Sequence, residues 1–303
     1  MPGQLKEVRN RIRSVQSIQQ ITKAMKMVSA AKLRRAQDAI LQMRPYAQKL
    51  QEMLQNIVSN STGDSDMSLA DQRPAEKVLL IVITSDRGLC GAYNMNLIKL
   101  AKQTIREKYQ DQFNKGNVTM MPIGKKGYDH FTRHNFKVNK GYRDLFLNLS
   151  FEDVQKASAE VMKDFLDKQY DVVEIIYSQF KNAVTQIFQV ERFLPIPKIT
   201  PEPQVAGSHH SDEKKLKADF IFEPDEITLI TELMPKILNT QFFKAMLDAN
   251  ASEHGARMSS MDKASDNADE LLRSYRISYN RARQAAITTE LTEIVSGAAA
   301  LEG

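Results

Sequence analysis

Residues 262–303 read DKASDNADELLRSYRISYNRARQAAITTELTEIVSGAAALEG, and the architecture of the whole chain follows from this segment. It contains no proline, and its only internal glycine, Gly297, lies near the end. Most of its residues favour helix, so we predict one long helix. A lone helix of this length has no core of its own, and it therefore requires a partner.

The partner that we predict lies at the opposite end of the chain. Between residues 4 and 59, apolar side chains recur at spacings of three and four, as in the seam of a coiled coil. These are Leu5, Val8, Ile12, Val15, Ile18, Ile21, Met25 and Val28. Pro45 interrupts the pattern and should bend or loosen the helix. The first 50 residues carry eleven Lys or Arg and two acidic residues, whereas residues 225–303 carry eight and twelve. The two helices should therefore either attract each other or face different partners.

The middle of the chain has a different period. Residues 77–84, KVLLIVIT, form the continuous β-branched run expected of a strand that is buried on both faces. Further strands are predicted at 118–123, at 172–177 and, at an edge, over 184–193, with helices at 93–109 and 151–167 between them. This alternation predicts an α/β domain with a mostly parallel, Rossmann-like sheet. We therefore predict an N-terminal coiled-coil helix (1–60), a central α/β domain (77–222) and a C-terminal coiled-coil helix (223–303).

Candidate chemistry is sparse. The turn SDRGLCGAYN (85–94) lies between a strand and a helix, where a doubly wound sheet binds its ligand, but it offers only G-x-x-G. A tight turn with an exposed thiol at Cys90 is the better interpretation. His130 and His134 should share a helix face, but Phe131 replaces the glutamate of a zinc-protease motif and no third ligand is evident. We expect no catalytic residue, no metal and no cofactor.

Two other features leave alternatives open. The basic N-terminal helix is compatible with a coiled-coil protein that binds nucleic acid, although no aromatic residue precedes Tyr46. The C-terminal tip, residues 294–301 (IVSGAAAL), carries no charge, which is unusual for a free helix end. Either this tip packs on its own domain or it inserts into an apolar collar on another protein.

Four segments together resemble one family, the gamma subunits of F-type ATP synthases. They are ITKAMKMVSAAK (21–32), SDRGLCG (85–91), SEHGARM (252–258) and NRARQAAITTELTEIVSGA (280–298). The resemblance covers nearly the whole chain in the same order. It implies an antiparallel coiled coil of the two terminal helices, with the α/β domain packed beside its base.

The resemblance also implies a function. Such a coil is the central rotor shaft inside a ring of alternating alpha and beta subunits, with one copy per complex. It couples proton-driven rotation of the membrane c-ring to ATP synthesis or hydrolysis at beta, and the epsilon subunit lies alongside. The chain itself would hold no active site and no cofactor, and it would bind no nucleic acid.

Site residues follow from the resemblance by position. Those implied to contact beta are Met25, Arg87, Cys90, Arg283, Gln284 and Thr288. Those implied to turn in the collar are Ile294, Val295, Ala298 and Leu301. Glu223 and Asp225 are implied to lie in the foot that meets the c-ring and epsilon.

The location follows from the same resemblance. The start of the chain has no targeting extension, which favours a bacterial protein at the cytoplasmic face of the inner membrane, with a trimmed organellar chain as the alternative. Because Cys90 is the sole cysteine, the paired-cysteine redox switch of chloroplast gamma subunits is absent.

Overall fold

The computed structural model describes residues 2–60, 68–139, 141–146, 149–196 and 226–302. Its elements, in chain order, are α1 (Pro2–Asn60), β1 (Val78–Ile83), α2 (Tyr93–Lys108), α3 (Gln110–Asn114), β2 (Val118–Ile123), α4 (Lys125–Arg133), α5 (Phe151–Leu166), β3 (Val172–Phe180), β4 (Gln186–Leu194) and α6 (Glu226–Glu302). The predicted helices and strands that fall within these ranges are confirmed to within a few residues.

The four strands form one sheet in the order β2-β1-β3-β4. β1 pairs in parallel with both β2 and β3, and β4 runs antiparallel at the edge. β1 is central because all six of its residues are apolar and buried, which only a strand covered on both faces can satisfy. The prediction of a mostly parallel sheet with an edge strand over 184–193 is confirmed.

Two apolar cores lie on opposite faces of this sheet. The odd-numbered residues of β1 enter a core with α5 and the first part of α6, whereas the even-numbered residues enter a core with α2. In the first core, α6 contributes a continuous series that runs from Met234 to Ala249. The helix that forms the coil therefore also closes one side of the α/β domain.

Helices α1 and α6 form the antiparallel coil. They contain 59 and 77 residues, so their contour lengths are about 90 Å and 115 Å at 1.5 Å per residue. Pro45 and Pro235 both lie inside continuous helices. The division of the chain at residues 60, 77 and 223 stays a prediction. The sequence DFIF (219–222) also predicts a short strand, which lies outside the described residues.

The seam of the coil differs from the predicted one. The sequence pattern predicts Ile18, Ile21 and Val28 in the seam, but they are 53%, 55% and 57% exposed. That part of the prediction is wrong. The buried positions of α1 from residue 22 onward are Thr22, Ser29, Leu33, Ala36, Ile40 and Leu50. Two stripes with helical spacing run along α1, offset by about one residue, and α6 packs against the stripe that contains Thr22 and Ser29 together with Leu33 and Ile40.

Candidate functional site

A ladder of polar contacts joins α1 to α6 in the part of the coil that lies away from the α/β domain. Thr22 and Ser265 share a buried hydrogen bond of 2.8 Å. Gln19 donates to Asp269, and Lys26 donates to Asp262. Moving seven residues forward along α1, from Gln19 to Lys26, moves the partner seven residues back along α6, from Asp269 to Asp262. The contacts therefore fix one antiparallel register, and slipping by one turn would break all of them at once.

The ladder ends in an aromatic contact near the start of α1. Nη2 of Arg9 donates to the hydroxyl of Tyr279 at 2.9 Å. The guanidinium carbon Cζ of Arg9 lies 5.7 Å from the centre of the tyrosine ring. This hydrogen bond to a cation lowers the pKa of Tyr279 from its ordinary value. The pair continues the same register and brings the coil to residue 279 of α6.

Between the polar ladder and the α/β domain, the seam becomes apolar. Leu33, Ala36 and Ile40 of α1 pack with Leu247 and Ala251 of α6 in a separate buried cluster. Burial of apolar side chains stabilises this part by roughly 25 cal/mol per Å² removed from water. The coil is therefore held by hydrophobic packing near the α/β domain, and farther from it by hydrogen bonds together with the buried Ala268 and Leu272.

Helix α6 also crosses the carboxyl end of the parallel sheet. The Ser252 hydroxyl donates to the Ser178 carbonyl at 3.0 Å, and the Tyr93 hydroxyl donates to the Ala249 carbonyl at 3.0 Å. A Cβ atom on Gly255 would lie 3.1 Å from the Ala183 carbonyl oxygen, so the helix backbone touches the segment after β3. Doubly wound folds bind ligands at this edge of the sheet. Here the helix itself occupies that place.

The turn between β1 and α2 lies beside this crossing. The Ser85 backbone N–H donates to the Asn94 side chain at 2.9 Å, and the Ser85 hydroxyl donates to the Arg87 carbonyl at 2.7 Å. Arg87 and Leu89 project into solvent, but Cys90 is only 2% exposed. The predicted exposed thiol is therefore wrong. Leu89 has a φ of 63°, and this left-handed conformation turns the chain so that its own side chain points outward while the next one is buried.

Arg257 of α6 holds this turn. Its guanidinium donates to the carbonyl oxygens of Arg87 and Gly88 at 3.0 and 3.4 Å. It also forms a buried ion pair with Glu253 at 2.6 Å and lies 3.2 Å from Nδ1 of His254. The segment 252–258 carries part of the family resemblance, but the sequence does not predict this clamp. Its one local signal is the four-residue spacing of an acidic and a basic side chain.

This cluster shifts two pKa values. Burial raises the pKa of Glu253, and the charge of Arg257 offsets this only in part. Burial, followed by the positive charges of Arg257 and Lys32, lowers the pKa of His254 from 6.5 to about 4. His254 is therefore neutral near pH 7, and its Nδ1 can accept a hydrogen bond from Arg257.

The C-terminal part of α6 is exposed on nearly all sides. Arg283, Gln284 and Thr288, which the resemblance assigned to the beta contact, all have exposed side chains. Large apolar side chains follow on one face, since their spacings of three and four recur. They are Ile287, Leu291, Ile294 and Val295, the last two 67% and 66% exposed, and the exposed Ala298 continues the stripe.

The remaining predicted positions are dispersed. Met25 lies half-buried on α1, next to Lys26 of the ladder. The side chain of Leu301 lies outside the described residues, as do Glu223 and Asp225. The structure therefore brings Arg87 and Cys90 together in one turn and Arg283, Gln284, Thr288 and the tip together along one helix, with Met25 on the facing helix.

His130 of α4 and His134, which directly follows α4, do share a face, with ring centres 4.1 Å apart. Burial, followed by the positive charge of Lys102, lowers the pKa of His130 from its ordinary value. Among the described residues, no group of three or more His, Cys, Asp or Glu side chains is placed to hold a metal ion. Over the same residues, no helix combines the length and the apolar character that a membrane crossing needs.

The fold and the site together define a class of protein. It is a shaft of two long antiparallel helices, with an α/β domain built around the first part of one helix and an exposed apolar stripe at its far end. Comparison with known proteins makes this specific. The family model described as ATP synthase matches residues 4–301. The ATP synthase gamma chain of Cytophaga hutchinsonii is 50% identical over 301 residues, covering 99% of both chains, and that of Chlorobium phaeobacteroides is 46% identical over 299 residues, again covering 99% of both.

The chain belongs to the ATP synthase gamma-chain family. It is accordingly a non-catalytic subunit of an ATP synthase, and the alternative of a nucleic-acid-binding protein is not supported. Solved structures show the same fold. A chain of the Euglena gracilis mitochondrial ATP synthase (OSCP/F1/c-ring) matches with a TM-score of 0.65 at 20% identity over 99% of this chain and 95% of that one. A chain of the Tetrahymena thermophila central stalk and c-ring matches with a TM-score of 0.56 at 23% identity, over 81% and 99%.

Proposed function

We propose that this chain turns as a shaft inside a ring of alternating alpha and beta subunits, with one copy per complex. It would couple proton-driven rotation of the membrane c-ring to ATP synthesis or hydrolysis at beta. The observation that carries the proposal is the exposed apolar stripe on the C-terminal part of α6. A contiguous apolar face on a helix that projects from its own domain indicates burial against another protein.

The tip, Ile294, Val295, Ala298 and Leu301, is proposed to turn in an apolar collar formed by the ring. Apolar contacts are non-directional, because their strength depends on buried area rather than on fixed donor and acceptor geometry. Such a surface can rotate against a collar without breaking a specific set of hydrogen bonds. The absence of charged side chains between residues 294 and 301 supports this role.

The contacts with beta are proposed to be directional. Arg283, Gln284 and Thr288 offer exposed donors and acceptors on the helix just before the tip. Met25 is proposed to act from the facing helix α1. In the lateral turn, the exposed Arg87 would make the contact, while the buried Cys90 anchors the turn in the domain.

The foot is proposed to include Glu223 and Asp225, which would meet the c-ring with epsilon alongside. The chain is proposed to act at the cytoplasmic face of a bacterial inner membrane as a peripheral part of the complex. The bacterial sources of the similar gamma chains support this location.

Two arginines on opposite faces of α6 provide the test. Arg281 and Arg283 are both exposed and differ by about 200° around the helix, at about 100° per residue. We expect Arg283→Ala combined with Gln284→Ala to lower ATP hydrolysis by the complex reconstituted with alpha and beta by about tenfold, the equivalent of about 1.4 kcal/mol. Arg281→Ala should leave it unchanged. Equal activity of the two variants would contradict the proposed contact with beta.

A further inference from the structure

The turn of residues 87–91 projects from the α/β domain as an exposed backbone loop. Two of its residues, Leu89 and Gly91, have left-handed conformations, with φ values of 63° and 60°. A loop of this kind keeps one conformation only where its surroundings determine it. On one side, the Asp86 carboxylate accepts a hydrogen bond from the Lys125 backbone N–H of α4 at 3.1 Å. On the other side, the turn rests on α6.

Arg257 of α6 makes the contact with the turn, and each of its three guanidinium nitrogens has a partner. Nη2 lies 3.0 Å from the Arg87 carbonyl oxygen and 2.6 Å from Glu253, Nε lies 3.4 Å from the Gly88 carbonyl oxygen, and Nη1 lies 3.2 Å from His254. The guanidinium fork alone among side chains can present donors in these three directions from one rigid plane. A lysine ammonium at the same position is a single point charge on a flexible stem.

The arginine is itself fixed. Glu253 and Arg257 lie one helical turn apart, and their side chains are about nine-tenths buried. An ion pair removed from water keeps its geometry because either partner alone would be an uncompensated buried charge. The guanidinium is therefore held against α6 first, and the two carbonyl oxygens of the turn bind to a group that is already in place.

We propose that Arg257 is a positioning residue that fixes the 87–91 turn to α6, so that the turn and the shaft rotate as one rigid body. The inference rests on the proposed function, in which Arg87 touches the catalytic head. Without the clamp, a load on Arg87 would bend the turn. With it, the load passes through two backbone carbonyl groups directly into the helix that forms the shaft.

The native sequence contains its own reporter for this clamp. Cys90 is the only cysteine, and it is a buried residue of this turn. Alkylation by N-ethylmaleimide requires the thiol to reach solvent, so its rate measures opening of the turn. In the full-length chain, we expect Arg257→Met combined with Glu253→Gln, which removes both buried charges, to raise the alkylation rate by about tenfold or more. A rate within twofold of the native chain would overturn the proposal.

Two further variants separate the clamp from general destabilisation. Glu270→Gln with Arg273→Met removes an exposed acidic and basic pair from the same helix and should leave the alkylation rate unchanged. Arg257→Lys keeps the charge opposite Glu253 but not the fork, so it should alkylate clearly faster than the native chain. Full protection by lysine would overturn the role of the fork. Backbone hydrogen exchange should quicken at residues 86–91 and stay slow in β1; faster exchange throughout the sheet would also overturn the proposal.

A second experiment measures coupling in the assembled complex. We expect the Arg257→Met/Glu253→Gln variant to lower proton pumping per ATP hydrolysed, and Arg87→Ala to do the same. Combining all three substitutions should cause no additional loss, because the clamp acts only through the turn. If the clamp variant alkylates quickly but Arg87→Ala couples normally, the lateral contact with the head is wrong. If Arg87→Ala uncouples while the clamp variant does not, the contact stands and the positioning role is overturned.

Discussion

Thr22 of α1 and Ser265 of α6 face each other across the seam of the coil, with 2.8 Å between their hydroxyl oxygens. Each hydroxyl also lies within hydrogen-bond distance of a carbonyl of its own helix, Gln19 at 3.0 Å and Met261 at 2.9 Å. The two hydroxyl groups therefore have two protons to share among three hydrogen-bond contacts. Both side chains are buried, so neither has water as an alternative partner. A buried polar pair of this kind specifies register at some cost in stability.

Removing one hydroxyl of this pair should cost more than removing an exposed one. We expect Thr22→Val to lower the free energy of unfolding of the full-length chain by about 1 kcal/mol, because Ser265 loses its partner across the seam. Ser265→Ala should cost a similar amount, and the double variant should cost less than the sum. Thr292→Val is the control, since the exposed Thr292 donates only to its own helix. Urea denaturation measures all four, and strict additivity would contradict a direct bond.

The same pair predicts a cross-link. In a Cys90→Ser background, Thr22→Cys with Ser265→Cys should oxidise readily to an intramolecular disulfide, because the two hydroxyl oxygens that the sulfur atoms would replace lie 2.8 Å apart across the seam. Ile21→Cys with Ser265→Cys is the matched control, since Ile21 lies on the exposed face of α1. Non-reducing electrophoresis distinguishes the two. A faster cross-link in the control would show that the helices adopt a different register.

Stability should depend on pH through His254. Its folded pKa of about 4 lies below its ordinary value of 6.5, so the unfolded chain binds more protons between these two values. The stabilisation is present above pH 6.5 and is lost as the pH falls towards 4. From pH 7 to pH 5 we expect a loss of about 2 kcal/mol in the free energy of unfolding. The raised pKa of Glu253 acts in the opposite direction, so the comparison with His254→Gln isolates the histidine. Parallel pH profiles for the two chains would refute this assignment.

Gly124, which precedes α4, should not tolerate a side chain. Its φ is 96°, and a Cβ atom would lie 2.1 Å from the Thr84 carbonyl oxygen. Gly116 also has a positive φ, 73°, but a Cβ atom there would meet nothing within 4 Å. We expect Gly116→Ala to cost about 1 kcal/mol of stability from the backbone alone. Gly124→Ala should cost about 3 kcal/mol or more, because strain and overlap add. Thermal or urea unfolding of the two variants separates conformation from crowding.

Where one physical signal dominated, the sequence predicted the fold well. The run from Val78 to Ile83 is apolar throughout, so it could only be a strand covered on both faces. The long terminal helices followed from the near absence of glycine and proline over many turns. The edge strand β4 could be predicted from the weak alternation of apolar and polar residues over 184–193. In each case, local composition and burial require the same structure.

Prediction failed where two placements had equal local support. The thiol of Cys90 is buried because Leu89 adopts a left-handed conformation, which nothing in the residue types required. The clamp of Arg257 depends on a contact between residues 170 positions apart. On α1, an apolar stripe through Ile18, Ile21 and Val28 competed with the stripe through Thr22 and Ser29. Periodicity alone could not show which one faces α6.

The apolar stripe that faces away from α6 gives the last prediction. Ile21 is exposed, whereas Ile40 is buried against α6. We expect Ile21→Gln to change the free energy of unfolding of the full-length chain by less than about 0.5 kcal/mol, and Ile40→Gln to lower it by about 3 kcal/mol. For association in the proposed complex, we expect the exposed position to matter more than the buried one. Ile21→Gln should weaken binding of the folded chain to alpha and beta, because the stripe loses its apolar contact with the ring, whereas a chain that carries the milder Ile40→Val should bind normally. Normal binding by Ile21→Gln would mean that this stripe does not face the catalytic head.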